Sequence, residues 1–128
     1  MSVFNEEKYV KEAIDSVLNQ TFKDFEFIIV DDGSTDRTLE ILHSYSDSRM
    51  RIFSFEENKG IPTALNYGID RARGEYIVKI DGDDIQYPER FEKQLSFMQE
   101  NPEMVLSKTL VNFFPDTIDI EKTKRYST

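Results

Sequence analysis

Asp81-Gly82-Asp83-Asp84 places three carboxylates within four residues. Like charges held that close repel one another unless a cation or a proton intervenes. Their hard oxygens suit Mg2+ or Mn2+. An ion held there would bridge to a diphosphate and neutralise charge building on a leaving group, and Gly82 would let a bulky ligand approach the backbone. The same four residues also suit a solvated turn after a strand. Asp31-Asp32-Gly33-Ser34-Thr35 is a second acidic loop. A carboxylate there can accept hydrogen bonds from a ribose or a base. The alternative is a capped helix start, with Ser34 or Thr35 as N-cap. In Asn58-Lys59-Gly60, Lys59 is one cation, available to a phosphate or to solvent. His43 has no second His or Cys near it and reads as surface. Met50, Met98 and Met104 read as packing. Neither the glycine-rich dinucleotide fingerprint nor the P-loop occurs.

The elements that must position these loops alternate. Met1 to Phe4 is a short extended start, and Asn5 can cap a helix with Glu6 and Glu7 in its first turn. Val10, Ala13, Ile14, Val17 and Leu18 recur at helical spacing. Phe25 to Val30 is apolar almost throughout, as a strand covered on both faces would be. A helix with Leu39, Leu42 and Tyr45 follows, then a strand from Arg51 to Phe55. Pro62 suits the first turn of the next helix, whose stripe is Ala64, Leu65, Gly68, Ile69 and Ala72, with Gly74 as its stop. Tyr76 to Ile80 is a fourth strand. Pro88 opens a helix with Phe91, Leu95 and Met98 inward, Asn101-Pro102 breaks it, and Met104 to Phe114 contains a fifth strand candidate. The order β-α-β-α-β-α-β-α-β predicts an α/β fold, with a mainly parallel sheet flanked by helices on both faces. In such sheets ligands bind outside the carboxyl ends of the strands. Both acidic loops follow strand ends and therefore belong on one edge. We expect one domain over residues 1–114 and a polar C-terminal segment over 115–128.

Composition narrows the classes. The chain has 128 residues, with 16 Lys and Arg against 25 Asp and Glu, for a net charge of −9. That balance argues against nucleic acid, whose phosphates reward clustered cations. Zero Cys removes disulfides, zinc-thiolate sites and thiol nucleophiles together. The longest apolar run, Phe27-Ile28-Ile29-Val30, is strand-sized, far below the ~20 residues of a membrane span. Met1 is followed directly by Ser2, Val3, Phe4 and acidic residues, which reads as no secretion signal. Asn19-Gln20-Thr21 then reads as an incidental sequon, and the expected location is cytoplasmic, with any membrane association through a partner or a missing segment.

In order and spacing, the pieces resemble a known family. Val3-Phe4-Asn5-Glu6-Glu7, Ser16-Val17-Leu18-Asn19-Gln20-Thr21-Phe22 and the run from Phe27 to Asp36 look like the N-terminal half of family 2 glycosyltransferases. The likeness continues through Asn58-Lys59-Gly60, Ala64-Leu65-Asn66, Ala72 to Tyr76, Asp81 to Asp84 and Pro88-Glu89-Arg90-Phe91, covering about residues 1 to 105. Each motif is weak alone and the ordered set is specific. The resemblance implies a GT-A fold that binds a nucleotide-diphosphate sugar, UDP- or GDP-linked, with Mn2+ or Mg2+. It places Ser2 and Phe4 beside the base, Asp32 in hydrogen bond to the base, Lys59 loosely near the nucleotide, Asp81 facing the ribose and Asp83 on the metal, with Asp81 as a second metal candidate and Asp84 behind them. The implied reaction is inverting transfer of the sugar to an acceptor hydroxyl in polysaccharide or glycoconjugate synthesis, the acceptor glycan or lipid being unreadable.

Two departures qualify that likeness. The opening strand is a stub, so Met1 reads as an internal start or a cut. The family's acceptor half, with its catalytic base, lies beyond the acid loop by more residues than remain, so the fold reads as truncated and no base is assigned. An apolar face left uncovered would favour a homo-oligomer. Two rivals remain at this level. One is a non-catalytic nucleotide-binding remnant. The other is a receiver-type signalling domain using Asp31-Asp32, Asp81 and Lys108 around Mg2+, which the spacing disfavours.

Overall fold

The protein is described by a computed structural model over residues 1–108. The elements are β1 (Ser2–Val3), α1 (Val10–Leu18), β2 (Phe27–Asp31), α2 (Thr38–His43), β3 (Met50–Ser54), α3 (Ile61–Ile69) and α4 (Arg90–Glu100). The strands form one parallel sheet in the order β1-β2-β3, with Ser2 opposite Val30, Phe27 opposite Met50 and Asp31 opposite Ser54. Ser2 also makes an isolated parallel bridge to Asp81. Since Ser2 already pairs with β2 on one side, Asp81 lies on the other, and the spatial order runs β3, β2, β1 and then the chain at Asp81.

The middle strand decides the layering. Phe27, Ile29 and Val30 are buried, as an apolar run covered on both faces requires. Phe27 and Ile29 join Val10, Ile14 and Val17 of α1 and Leu42 of α2 in the core. On the opposite face, Ile28 and Val30 meet α3, where Gly68 comes so close that an added β-carbon would touch both at 3.5–3.6 Å. Helix α1 follows from its pattern: Val10, Ala13, Ile14 and Val17 stand at helical spacing and all are buried.

Several elements differ from the sequence-based expectation, each for a local reason. Helix α1 starts at Val10, and its N-cap is Tyr9 with no side-chain cap. Asn5 instead adopts a left-handed φ of 53° and turns its side chain to the 34–36 loop. Neither Ser34 nor Thr35 caps α2; Asp36 Oδ1 accepts the Thr38 N–H at 2.9 Å. Helix α3 stops at Ile69, short of Gly74, and Ile69 is exposed. Residues 76–80 form no strand. β1 has a two-residue edge, so this segment gains only the bridge at Asp81 and no longer ladder among the described residues. Ile80 reaches the core, while Tyr76, Ile77 and Val78 are exposed. In α4, Phe91 is buried while Leu95 and Met98 are half-buried. Residues 104–108 form no strand, and the rest of the expected fifth strand lies outside the described residues, as does the 115–128 segment.

Candidate functional site

The carboxyl ends of β1 and β2 and the Asp81 loop open onto one cleft of about 620 Å³. Ser2, Val3, Phe4 and Glu6 enter it from the end of β1, Asp32 from the end of β2, Asn58, Gly60, Ile61 and Pro62 from the start of α3, and Asp81 and Asp83 from the acid loop. Five of the six residues singled out in the sequence thus meet in one place. The sixth, Lys59, turns its side chain elsewhere. Its ammonium stands 5.1 Å from the Phe55 ring centre and lines a neighbouring hollow with Ser54, Glu56 and Glu57.

Asp32 is 2% exposed, and both its oxygens are engaged. Oδ1 accepts the Lys59 N–H at 2.7 Å and Oδ2 accepts the Gly60 N–H at 2.9 Å. Its own N–H donates to Val3 O at 2.8 Å. The carboxylate therefore clamps the loop that leads into α3, and each oxygen keeps a further lone pair for a ligand. The neighbouring Asp31 is buried as well. Its Oδ2 accepts from Ser34 N and Ser54 Oγ, while Oδ1 has no partner. Gly33 lets the two loops touch. Its φ is +73°, and a β-carbon there would fall 2.5 Å from the Glu57 carbonyl carbon.

The end of β1 is zipped to the start of α2. Asn5 N donates to Ser34 Oγ at 2.9 Å, and Asn5 Oδ1 accepts Thr35 N at 2.8 Å. Glu6 N donates to Thr38 Oγ1 at 2.8 Å. These bonds leave Phe4 41% exposed at the mouth of the cleft and turn the Glu6 carboxyl inward.

Glu6 is the residue that sequence reasoning missed. Its place beside a predicted helix start suggests a first helical turn, yet β1 ends at Val3 and the helix begins seven residues later. An acid just past a strand end belongs to the carboxyl edge of the sheet, and that signal was available. Glu6 Oε2 is buried without a partner. Burial raises the Glu6 carboxyl to about 7, helped by the charges of Asp83, Asp81 and Asp36. Burial also raises Asp84, with Asp83 and Asp81 adding to it. Gly82 faces Glu6 and Val3, so protein atoms occupy the approach that the sequence reading reserved for a bulky ligand.

Asp81 is half-exposed, and its two oxygens hold the Lys79 ammonium at 2.6 and 2.8 Å. Asp83 is exposed and faces the cleft. Among the described residues, no group of three or more His, Cys, Asp or Glu side chains stands ready to hold a metal ion. Nor is any helix among them long and apolar enough to cross a membrane.

Comparison with known proteins gives a consistent result. The family model for glycosyl transferase family 2 matches residues 1–127. An uncharacterised glycosyltransferase of Haemophilus influenzae is 41% identical over 103 residues, covering 79% of this chain and 41% of that protein. The putative glycosyltransferase EpsE of Bacillus subtilis is 38% identical over 104 residues, covering 79% and 37%. The chain thus spans about two-fifths of the length of these relatives. Among solved structures, S. aureus TarS 1-349 in complex with UDP-GlcNAc superposes with a TM-score of 0.74 at 32% identity, over 79% of this chain and 30% of that one. The mannosyltransferase PcManGT of Pyrobaculum calidifontis, in complex with GDP-Man and Mn2+, gives 0.63 at 27% identity, over 70% and 27%.

Proposed function

The chain belongs to glycosyl transferase family 2 and carries a GT-A fold, and from that premise we propose that its cleft binds a nucleotide-diphosphate sugar together with a divalent cation. The observation that carries this reading is the meeting of Ser2, Phe4, Asp32, Asp81 and Asp83 around one opening at the carboxyl edge of the sheet, where open α/β sheets bind ligands.

In this reading the base lies between Phe4 and Asp32. Phe4 is exposed at the mouth and presents a ring on which a base stacks. Asp32 is held rigid by two backbone N–H groups, and its free lone pairs accept an N–H from the base edge. Ser2 lies beside the base and Asp81 faces the ribose. Lys59 contributes through its backbone N–H, which orients Asp32. Its ammonium reaches the phosphates only by leaving Phe55.

The donor chemistry fits a hard divalent ion. Asp83 and Asp81 offer carboxylate oxygens, and Mg2+-like ions are commonly held by one or two carboxylates plus substrate phosphates rather than by an all-protein cage. When bound, the ion supplies neutralisation of charge on the diphosphate leaving group. Asp83 would hold it, and Asp81 would serve as well on releasing Lys79.

Uridine and guanosine donors both stay open for this chain, since Asp32 can accept from either base. Inverting transfer of the sugar to an acceptor hydroxyl, in polysaccharide or glycoconjugate synthesis, is the reaction class we propose. The general base for the acceptor is assigned to no described residue. Because the chain spans about two-fifths of its relatives' length, donor binding without turnover is the second reading, for the isolated chain. Calorimetric titration with UDP and GDP, each with and without Mn2+, tests the proposal. Saturable binding of one nucleotide, strengthened by Mn2+, supports it; no binding by folded protein overturns it.

A further inference from the structure

We infer that Gln20, remote from the cleft, is a positioning residue for the acid loop: it anchors the segment leaving Asp84 and so sets where Asp81 and Asp83 stand. The inference rests on the donor-site reading above and deepens it. Gln20 follows α1 and is fully buried. A buried amide is costly unless its hydrogen bonds are made, and here they are. Nε2 donates to Tyr87 O at 2.7 Å and to Ser16 O at 3.3 Å, and Oε1 accepts the Phe91 N–H at 3.0 Å.

The last of these bonds has a specific consequence. Phe91 lies in the first turn of α4, where backbone N–H groups have no partner within the helix. The N-cap of α4, Glu89, makes no side-chain cap bond. Gln20 thus caps α4 from just beyond the end of α1, while its amide nitrogen holds the residue before Pro88. Its neighbours add to the anchor. Ser16 Oγ accepts the Gln86 N–H at 2.9 Å, Thr21 N donates to Pro88 O at 2.9 Å, and Thr21 Oγ1 donates to Glu92 at 2.9 Å.

The acid loop is therefore supported at both ends. Its entrance is held by the bridge from Asp81 to Ser2, by Ile80 in the core and by Gly82 packed on Val3 and Glu6. Its exit is held by Ser16, Gln20 and Thr21. Between them the loop's own bond runs from Asp84 N to Asp81 O at 3.2 Å. A position that needed only to fill the core would be served by an apolar side chain; an amide bonded to two points of the 87–91 segment is accounted for by the segment it holds.

The test compares Gln20→Met, which keeps the volume and removes the amide, with the parent chain. Two readouts are taken: backbone order parameters by NMR, and UDP affinity with and without Mn2+. In the folded variant we expect the order parameters of Gly82, Asp83 and Asp84 to fall toward ~0.6 while those of Lys59 and Gly60 stay near ~0.85. The gain in UDP affinity produced by Mn2+ should shrink by roughly tenfold or more, as when other outer supports of metal ligands are removed. UDP affinity without metal should hold within about twofold, the same comparison separating the acid loop from the Asp32 wall. An unchanged acid loop, or equal loosening of both loops, overturns the inference. If the parent chain shows no Mn2+-dependent binding of UDP, the metal reading with that nucleotide fails, while the order parameters still decide the role of Gln20. If Gln20→Met does not fold, Gln20→Glu, which keeps an acceptor for Phe91 N and removes the donor to Tyr87 O and Ser16 O, decides by the same contrast.

Discussion

The Glu6 carboxyl lies directly over Gly82, with Val3 Cγ1 closing the other side. A β-carbon on Gly82 would fall 2.7 Å from Val3 Cγ1 and 2.9 Å from Glu6 Cδ. The end of β1 and the acid loop are thus in close contact. Gly82 is required here by close approach, with no demand for an unusual backbone angle.

Gly82→Ala should therefore be costly. The added methyl must push aside Val3, which is 2% exposed, or displace the acid loop. Overpacking of this kind costs about 1–3 kcal/mol. Chemical denaturation should show that loss, with a parallel loss of Mn2+-dependent nucleotide binding. Adding Glu6→Ala should recover part of the stability, because the two sites share a contact. A double variant with simply additive losses would contradict the packing described.

Glu6 also gives stability a pH dependence of definite sign. Its carboxyl titrates at about 7 in the folded protein against an ordinary 4.5, chiefly through burial and then through Asp83 and Asp81. A raised carboxyl means that folding favours the protonated form. This contribution is complete below pH 4.5, declines as pH rises from there, and is lost once pH passes about 7. Glu6→Gln should therefore leave stability at pH 4 nearly unchanged and raise it at pH 8. Urea midpoints at the two pH values check this, and equal midpoint shifts at both would contradict it.

Asp32→Asn should separate the clamp from its charge. Lys59 N–H and Gly60 N–H face different oxygens of Asp32, so in that geometry an amide turns its donor nitrogen on one of them. One buried N–H then loses its partner, at a cost of about 1–3 kcal/mol. Amide exchange should quicken at Lys59 and Gly60 before it does in β2. Nucleotide affinity should fall with and without Mn2+, unlike the metal-specific loss expected at Asp83. If Asp32→Asn keeps full affinity, the base-binding role proposed for Asp32 is wrong.

Much of this was legible in the residues. The near-continuous apolar run of β2 announced burial on both faces, and Val10, Ala13, Ile14 and Val17 announced the face of α1. The two acidic loops are expected on one edge, and Asp32, Asp81 and Asp83 do line one cleft, although residues 76–80 ahead of the second loop form no strand. What stayed hidden depended on contacts distant in sequence. Asn5 has the composition of a helix cap, but its Oδ1 is taken by residues thirty positions away. Tyr76-Ile77-Val78-Lys79-Ile80 has strand composition, yet a strand needs a neighbour, and β1 supplies one bridge. Lys59 was read as a cation, whereas its backbone N–H is what reaches Asp32. Glu6 looks like a first-turn helix residue only if the helix starts at Asn5, and it starts at Val10.

The central claim is a metal-assisted donor site in this cleft, and the most direct measurement is calorimetric titration of the chain and of Asp83→Ala with UDP and with GDP, each with and without Mn2+. The account predicts saturable binding of one nucleotide to the parent chain, strengthened by Mn2+. Asp83→Ala should keep the metal-free binding and lose about 1.4 kcal/mol or more, a factor of ten, of the Mn2+-dependent gain. Nucleotide binding indifferent to Mn2+, or a Mn2+ effect that survives intact in folded Asp83→Ala, would contradict it.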